Sequence, residues 1–225
     1  MSKTIINISG SKGGVGKSII SMSVIDYFES VSDSPILIES DTSNPDVWKA
    51  YKHRIKSELI NLDDKVGWIN FINFCDSNKN STIIINSAAR SNDGVRAYGK
   101  MLNDNIDVLG HKLVTLWVIN RQRDSLELLA DYMEAIQKSE IHVVRNTYIG
   151  DPSKFELYNS SNIKKTIEER GGKTIDFPDL ADRVADEIYN ERLPIAEAGE
   201  KMPLGNRAEL ARWRAEVKKI MEAVL

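Results

Sequence analysis

Seven consecutive residues, Lys12-Gly13-Gly14-Val15-Gly16-Lys17-Ser18, follow a short β-branched run and precede a stretch with helical spacing. A strand that turns straight into a helix through three glycines leaves few architectures open. Without side chains, Gly13, Gly14 and Gly16 let backbone N–H groups close around an anion, and the helix N-terminus adds partial positive charge. Lys17 then stands where an ammonium reaches the outer phosphates of a nucleotide, and Ser18 where a hydroxyl coordinates Mg²⁺. The strict eight-residue spacing asks for glycine at its first position. This chain has Ser11 there, with Gly10 one place too early. The plain alternative is a glycine-rich turn with two solvated lysines, and seven residues in this strand-to-helix order weigh against it.

Apolar, β-branched runs recur at residues 4–8, 35–38, 82–85, 113–119, 141–144 and 174–177. Helical spacing fills the intervals at 18–28, 66–74, 126–136, 163–169, 180–193 and 208–224. This alternation predicts an α/β fold, a doubly wound and mostly parallel sheet with helices on both faces. With 225 residues, 41% of them hydrophobic, residues 1–225 read as a single domain with one well-buried core. In such sheets the loops at the carboxyl ends of the strands carry ligands. The polar stretches 44–61 and 151–162 read as mobile loops.

Thirty basic and 33 acidic residues leave a formal charge of -3, so any surface for a polyanion has to be local. The single cysteine, Cys75, excludes an internal disulfide or a paired-cysteine metal site, and His53, His111 and His142 are too scattered to form a ligand set. The N-terminus lacks the apolar core of about 7–15 residues that a signal peptide needs. No segment approaches the ~20 apolar residues of a membrane span. The expected setting is a reducing cytoplasm.

The loop Lys12–Ser18 resembles the deviant Walker A loop of the ParA/MinD superfamily of ATPases, in which that first glycine is often missing and Lys12 is the distinguishing residue. By this resemblance, ATP and Mg²⁺ are the cofactors, Gly13, Gly14, Val15, Gly16, Lys17, Ser18 and Ile19 surround the phosphates, and Lys12 reaches across a nucleotide-bridged homodimer to the partner's phosphates. Glu39-Ser40-Asp41 resembles the family's first switch segment, which makes Asp41 the acid that orients the attacking water and, with Ser18, a contributor to Mg²⁺ binding. Asn146 resembles the residue that contacts adenine, and Pro178-Asp179-Leu180 the loop that walls the base. Val144-Arg145-Asn146, the Phe155 region and Arg192-Leu193-Pro194 look closest to the plasmid-borne TraL and StbB groups. The expected role is a slow, partner-stimulated ATPase switch in plasmid or DNA partition, conjugation or intracellular positioning.

Two departures qualify that role. Where the family ends its third strand in the Walker B aspartate, this chain has Asn86, whose amide offers a carbonyl oxygen but no charge. A nucleotide-binding scaffold with little or no turnover is therefore the alternative. A metabolic ligase of the same fold is a third reading, and Lys12 argues against it, because a one-subunit site has no evident use for that lysine. Ser87 and Arg90 fall in the segment resembling the second switch, with Arg90 a candidate phosphate sensor. The last helix presents Leu210, Trp213, Val217, Ile220, Met221 and Val224 on one face. Arg207, Arg212, Arg214, Lys218 and Lys219 lie mainly elsewhere and form a candidate surface for non-specific DNA, with membrane contact the weaker alternative.

Overall fold

The computed structural model describes residues 3–10 and 12–225, so Ser11, the position of the missing glycine, lies outside the described residues. The chain runs β1 (Thr4–Gly10), α1 (Lys17–Ser30), β2 (Ile36–Glu39), α2 (Asp46–Tyr51), β3 (Ser57–Leu59), α3 (Lys65–Asp76), β4 (Ile83–Asn86), α4 (Asn92–Leu109), β5 (Lys112–Ile119) and α5 (Arg123–Ala135). It continues through β6 (Glu140–Asn146), a short 3-10 turn at Pro152–Lys154, α6 (Glu156–Asn159), α7 (Asn162–Glu169), β7 (Thr174–Phe177), α8 (Asp182–Asn190), α9 (Ile195–Lys201) and α10 (Leu204–Val224). The seven strands lie in the order β3-β2-β4-β1-β5-β6-β7, and every neighbouring pair is parallel.

Alternation along each strand divides the core between the two faces of the sheet. Ile6, Ile8, Leu37, Ile84, Leu116 and Val118 pack with residues of α1, α8 and α10, while Ile5, Ile38, Ile83, Ile85 and Trp117 pack with α3, α4 and α5. Both faces are apolar because both are covered, which is why the strands read as unbroken hydrophobic runs. Full burial of side chains such as Ile6 and Ile8 stabilises the fold by about 1.5–3 kcal/mol each. The central strand β1 sits where the strand order changes direction, and the glycine loop leaves its carboxyl end.

All six expected strands are present, and the structure corrects the two expected mobile loops. Residues 44–61 contain α2 and the edge strand β3, with Val47 and Tyr51 fully buried. Ser57, Glu58 and Leu59 gave no strand signal because an edge strand paired only with β2 needs little apolar surface. Residues 151–162 are held by the buried Phe155 and Tyr158 and by Arg145, whose Nη1 donates to Asn159 Oδ1 at 2.7 Å. The long helix α4 is absent from the sequence pattern, and the expected helix at 180–193 is shorter, with α9 following as a separate element.

Candidate functional site

At the carboxyl edge of the sheet a cavity of about 450 Å³ opens between the glycine loop, the residue 41–46 segment, the ends of β4, β6 and β7, and the helices α8 and α10. Gly13, Gly14, Gly16, Lys17, Ser18 and Ile19 line one side of it. Gly14 and Gly16 have φ of 76° and 98°, a left-handed conformation that side chains disfavour. A Cβ on Gly16 would also lie 2.3 Å from Asn146 Nδ2. Gly16 caps α1 without any side-chain hydrogen bond, so the first-turn N–H groups keep the capacity to bind an anion. Val15 does not line the cavity; its side chain is buried and its carbonyl accepts from Asn146 Nδ2 at 3.1 Å.

The Lys17 ammonium donates to the Lys12 carbonyl at 2.8 Å. Burial lowers its pKa to about 8, against the pull of the nearby Asp41 carboxylate. Asp41 lines the cavity, and its Oδ1 accepts from the Asn44 backbone N–H at 3.1 Å. Ser18 and Asp41 thus bring oxygen donors to the same cavity, the chemistry a hard cation such as Mg²⁺ takes alongside phosphate oxygens. Among the described residues no group of three or more His, Cys, Asp or Glu side chains is arranged to hold a metal unaided.

Lys12 stands apart from the cavity. Its Nζ lies 2.9 Å from Gln122 Oε1 and 2.6 Å from Asp124 Oδ2, at the start of α5.

Behind the loop, Asn86 lines the cavity at the end of β4. Its Nδ2 donates to Glu39 Oε1 and Oε2 at 3.0 and 3.1 Å, and its Oδ1 accepts from Ser21 Oγ at 2.9 Å. Glu39 is fully buried. Burial pushes its carboxyl up to about 7, partly offset by the hydrogen bonds from Asn86 and the Asp41 N–H. Ser87 also lines the cavity and donates to Asn7 Oδ1 at 2.7 Å. The structure corrects the expectation for Arg90, which does not line the cavity: it bridges Asp63 at 2.7 Å and Ser43 at 2.8 Å.

Asn146, Pro178, Asp179 and Leu180 line the opposite side. The Asn146 amide is already engaged at both ends, donating to the Val15 carbonyl and accepting from the Tyr148 N–H at 3.1 Å, so it joins the glycine loop to β6. Burial raises the Asp179 pKa, with Asp182 adding to the effect. Three aromatic contributors were not picked out from the sequence as site residues: Tyr148, Tyr189 and Trp213. Trp213 reads as part of the apolar face of α10, but its indole N–H donates to the Pro178 carbonyl at 2.8 Å and its ring meets Phe177 edge-on at 5.6 Å. Tyr189 shares a face of α8 with Asp182, Ala185 and Asp186, a helical spacing that shows which residues move together but not what they face. Apolar and aromatic walls opposite an anion cradle suit a ligand with a flat ring at one end and phosphates at the other.

The candidate DNA surface on α10 is reduced by internal pairing. Arg212 is engaged by Glu209 and Glu216, Arg214 by Asp26, and Lys218 lies 4.0 Å from Glu222. Arg207 is half-buried and Lys219 exposed.

No protein-family model matches the chain. It is 57% identical over 225 residues to Protein MobD of Acidithiobacillus ferrooxidans, covering 100% of this chain and 99% of that protein. The chain belongs to the MobD family. Solved structures extend the comparison at the level of the fold. The MinD cell division protein of Aquifex aeolicus matches with a TM-score of 0.55 over 97% of both chains at 14% identity. A putative plasmid partition protein of Borrelia burgdorferi B31 bound to AMPPNP matches with a TM-score of 0.53 over 96% of this chain and 98% of that one, at 15% identity. The ParA/MinD resemblance carried by the loop is therefore matched by the fold of this MobD-family chain. Among the described residues no helix is long and apolar enough to cross a membrane.

Proposed function

We propose that the chain is an ATP-operated dimerisation switch serving DNA mobilisation or partition. The observation that carries this reading is the single cavity in which Lys17 and Ser18, at the N-terminus of α1, stand with Asp41 across from an apolar wall containing Leu180 and Trp213. In this reading the first-turn N–H groups and Lys17 hold the phosphates, Asn146 keeps the loop in place, and the residue 177–180 segment with Trp213 receives the base. Mg²⁺, when bound by Ser18 and assisted by Asp41, supplies charge neutralisation at the outer phosphates. Asp41 positions the water that attacks in line. The AMPPNP bound to the Borrelia neighbour and the name of the MobD relative support this choice of ligand and setting.

Nucleotide promotes dimerisation only if the dimer binds it better than the monomer does. Lys12 provides such a difference: it leaves Asp124 and meets the partner's phosphates. Hydrolysis removes that contact and resets the switch, with a partner protein setting the rate. The test is Mg²⁺-ATP turnover by the purified protein with and without duplex DNA, using Lys17→Ala as the blank. Turnover above the blank is expected.

Asn86 favours a second reading, a nucleotide-binding scaffold, because the acid of the family's third strand is absent. ATP binding without turnover in the same preparation selects that reading.

A further inference from the structure

The end of β4 carries no acid, yet a carboxylate is held against it. Strands β2 and β4 pair in parallel with Glu39 opposite Asn86, so both side chains leave the sheet at the same level and on the same face. The two Glu39 oxygens each receive a hydrogen bond from Asn86 Nδ2. Both Glu39 oxygens take their contact from the Asn86 NH₂ and the Ser21 hydroxyl donates to the opposite end, so the two partners fix which end of the amide turns towards Glu39. The other end, Oδ1, takes the Ser21 hydroxyl and retains a second lone pair at a residue that lines the cavity.

In its ionised form Glu39 also polarises the amide, making the carbonyl oxygen a stronger acceptor. A lone Asn86 would instead be free to turn its NH₂ towards the cavity, where it would repel a cation.

We infer that Glu39 is a positioning residue that replaces the missing β4 carboxylate, by holding Asn86 with Oδ1 available to the hydration shell of the Mg²⁺ that accompanies the nucleotide. This rests on the nucleotide-switch reading above. Ser21, on the loop's own helix α1, completes the relay, so that β2, β4 and α1 meet at one amide. The site thereby keeps one buried acid beside the cation and moves it from β4 to the neighbouring strand. Partners that orient metal ligands in this way typically account for about 10–100-fold in metal affinity.

The experiment is titration of a fluorescent ATP analogue into wild type, Glu39→Gln and the exchanged pair Glu39→Gln/Asn86→Asp, each with Mg²⁺ and with EDTA, alongside thermal unfolding of the nucleotide-free proteins. Glu39→Gln should lose about tenfold or more of the affinity in Mg²⁺ and little in EDTA. The exchanged pair, with its acid back on β4 and an amide on β2, should recover most of that Mg²⁺ response. A tie that merely joined the two strands would alter unfolding but leave the response to Mg²⁺ alike in all three. That result, or an exchanged pair no better than Glu39→Gln, overturns the inference. If Glu39→Gln does not fold, the exchanged pair decides alone: a wild-type Mg²⁺ response supports the relay and its loss refutes it. Failure of the wild type to bind the analogue in Mg²⁺ is a distinct outcome, which removes the nucleotide reading and this inference with it.

Discussion

The Lys12 ammonium lies 2.6 Å from the Asp124 carboxylate, within its own chain. The hydrogen bond from Lys12 holds the Asp124 carboxyl below the usual range. Both side chains are well exposed, at 43% and 49%, and an exposed pair of this kind opposes departure of the lysine only weakly. Asp124→Ala should therefore strengthen ATP-dependent self-association by a few-fold at most, on the order expected for a surface pair. Lys12→Ala should abolish it while leaving ATP binding by the monomer in place. Sedimentation velocity with and without Mg²⁺-ATP checks both, and a Lys12→Ala protein that dimerises as the wild type does would exclude Lys12 from the bridging role.

Arg214 and Asp26 form a two-pronged pair, with both hydrogen bonds at 2.8 Å, between α10 and α1. The Asp26 side chain is 11% exposed and that of Arg214 33%. Burial pushes the Asp26 carboxyl up, and the hydrogen bonds and charge of Arg214 pull it back. Removal of the two partners should therefore be unequal. Arg214→Ala leaves a buried carboxylate and should cost about 2–3 kcal/mol, whereas Asp26→Asn leaves a guanidinium that reaches water and should cost about 1 kcal/mol. Urea unfolding measures both, and equal costs would mean that the pair's burial does not set its energetics.

The glycine loop and its flanking elements were legible in the sequence because everything that specifies them is local: a β-branched run, three glycines and a helix start. Asp41 was singled out by the resemblance of Glu39-Ser40-Asp41 to a switch segment, and it lines the cavity. The contact between Glu39 and Asn86 was not legible, since 47 residues separate them and it depends on β2 lying beside β4 and on their register. Trp213 showed its apolar spacing, but not that its N–H would meet Pro178 beside the cavity. Helix α4 contains Gly94 and Gly99, and glycine within a helix weakens the sequence signal for one. A Cβ on Gly94 would lie 1.9 Å from the Leu62 carbonyl oxygen, and one on Gly99 2.7 Å from Ile136 Cδ1. Close packing, which no local pattern displays, accounts for both.

His142 is fully buried, and its Nδ1 accepts from the Lys173 N–H at 3.0 Å. Its Nε2 is 3.2 Å from Glu140 Oε1 without the alignment of a hydrogen bond. Burial holds its pKa below 6.5; Glu140 opposes that shift, and Lys173 and Lys112 reinforce it. The folded protein thus binds this proton less readily than the unfolded chain. The resulting stability is present above pH 6.5 and is lost as pH falls below that value. His142→Asn, whose Oδ1 can still accept from Lys173, should lose less stability than the wild type between about pH 7.5 and pH 5.5. Parallel urea titrations at the two pH values test this, and identical losses would mean that the imidazole binds its proton equally well in the folded protein and the unfolded chain.

Gly13 and Gly16 belong to the same loop but face different constraints. At Gly16 a methyl group meets Asn146 Nδ2 at 2.3 Å on a backbone with φ of 98°, so both the loop and its tie to β6 must shift. At Gly13, which lines the cavity, nothing lies within 4 Å of an added Cβ, so a methyl group there meets open space. Gly16→Ala should lower thermal stability and abolish binding of a fluorescent ATP analogue together, because the αL strain alone is of order 1–2 kcal/mol before the contact is counted. Gly13→Ala should unfold at the wild-type temperature, since its methyl group meets no protein atom, and bind the analogue less well where the phosphates approach this part of the loop. Binding that survives Gly13→Ala undiminished would show that the phosphates do not approach this part of the loop, and would shift the anion site towards Gly16 and the first turn of α1.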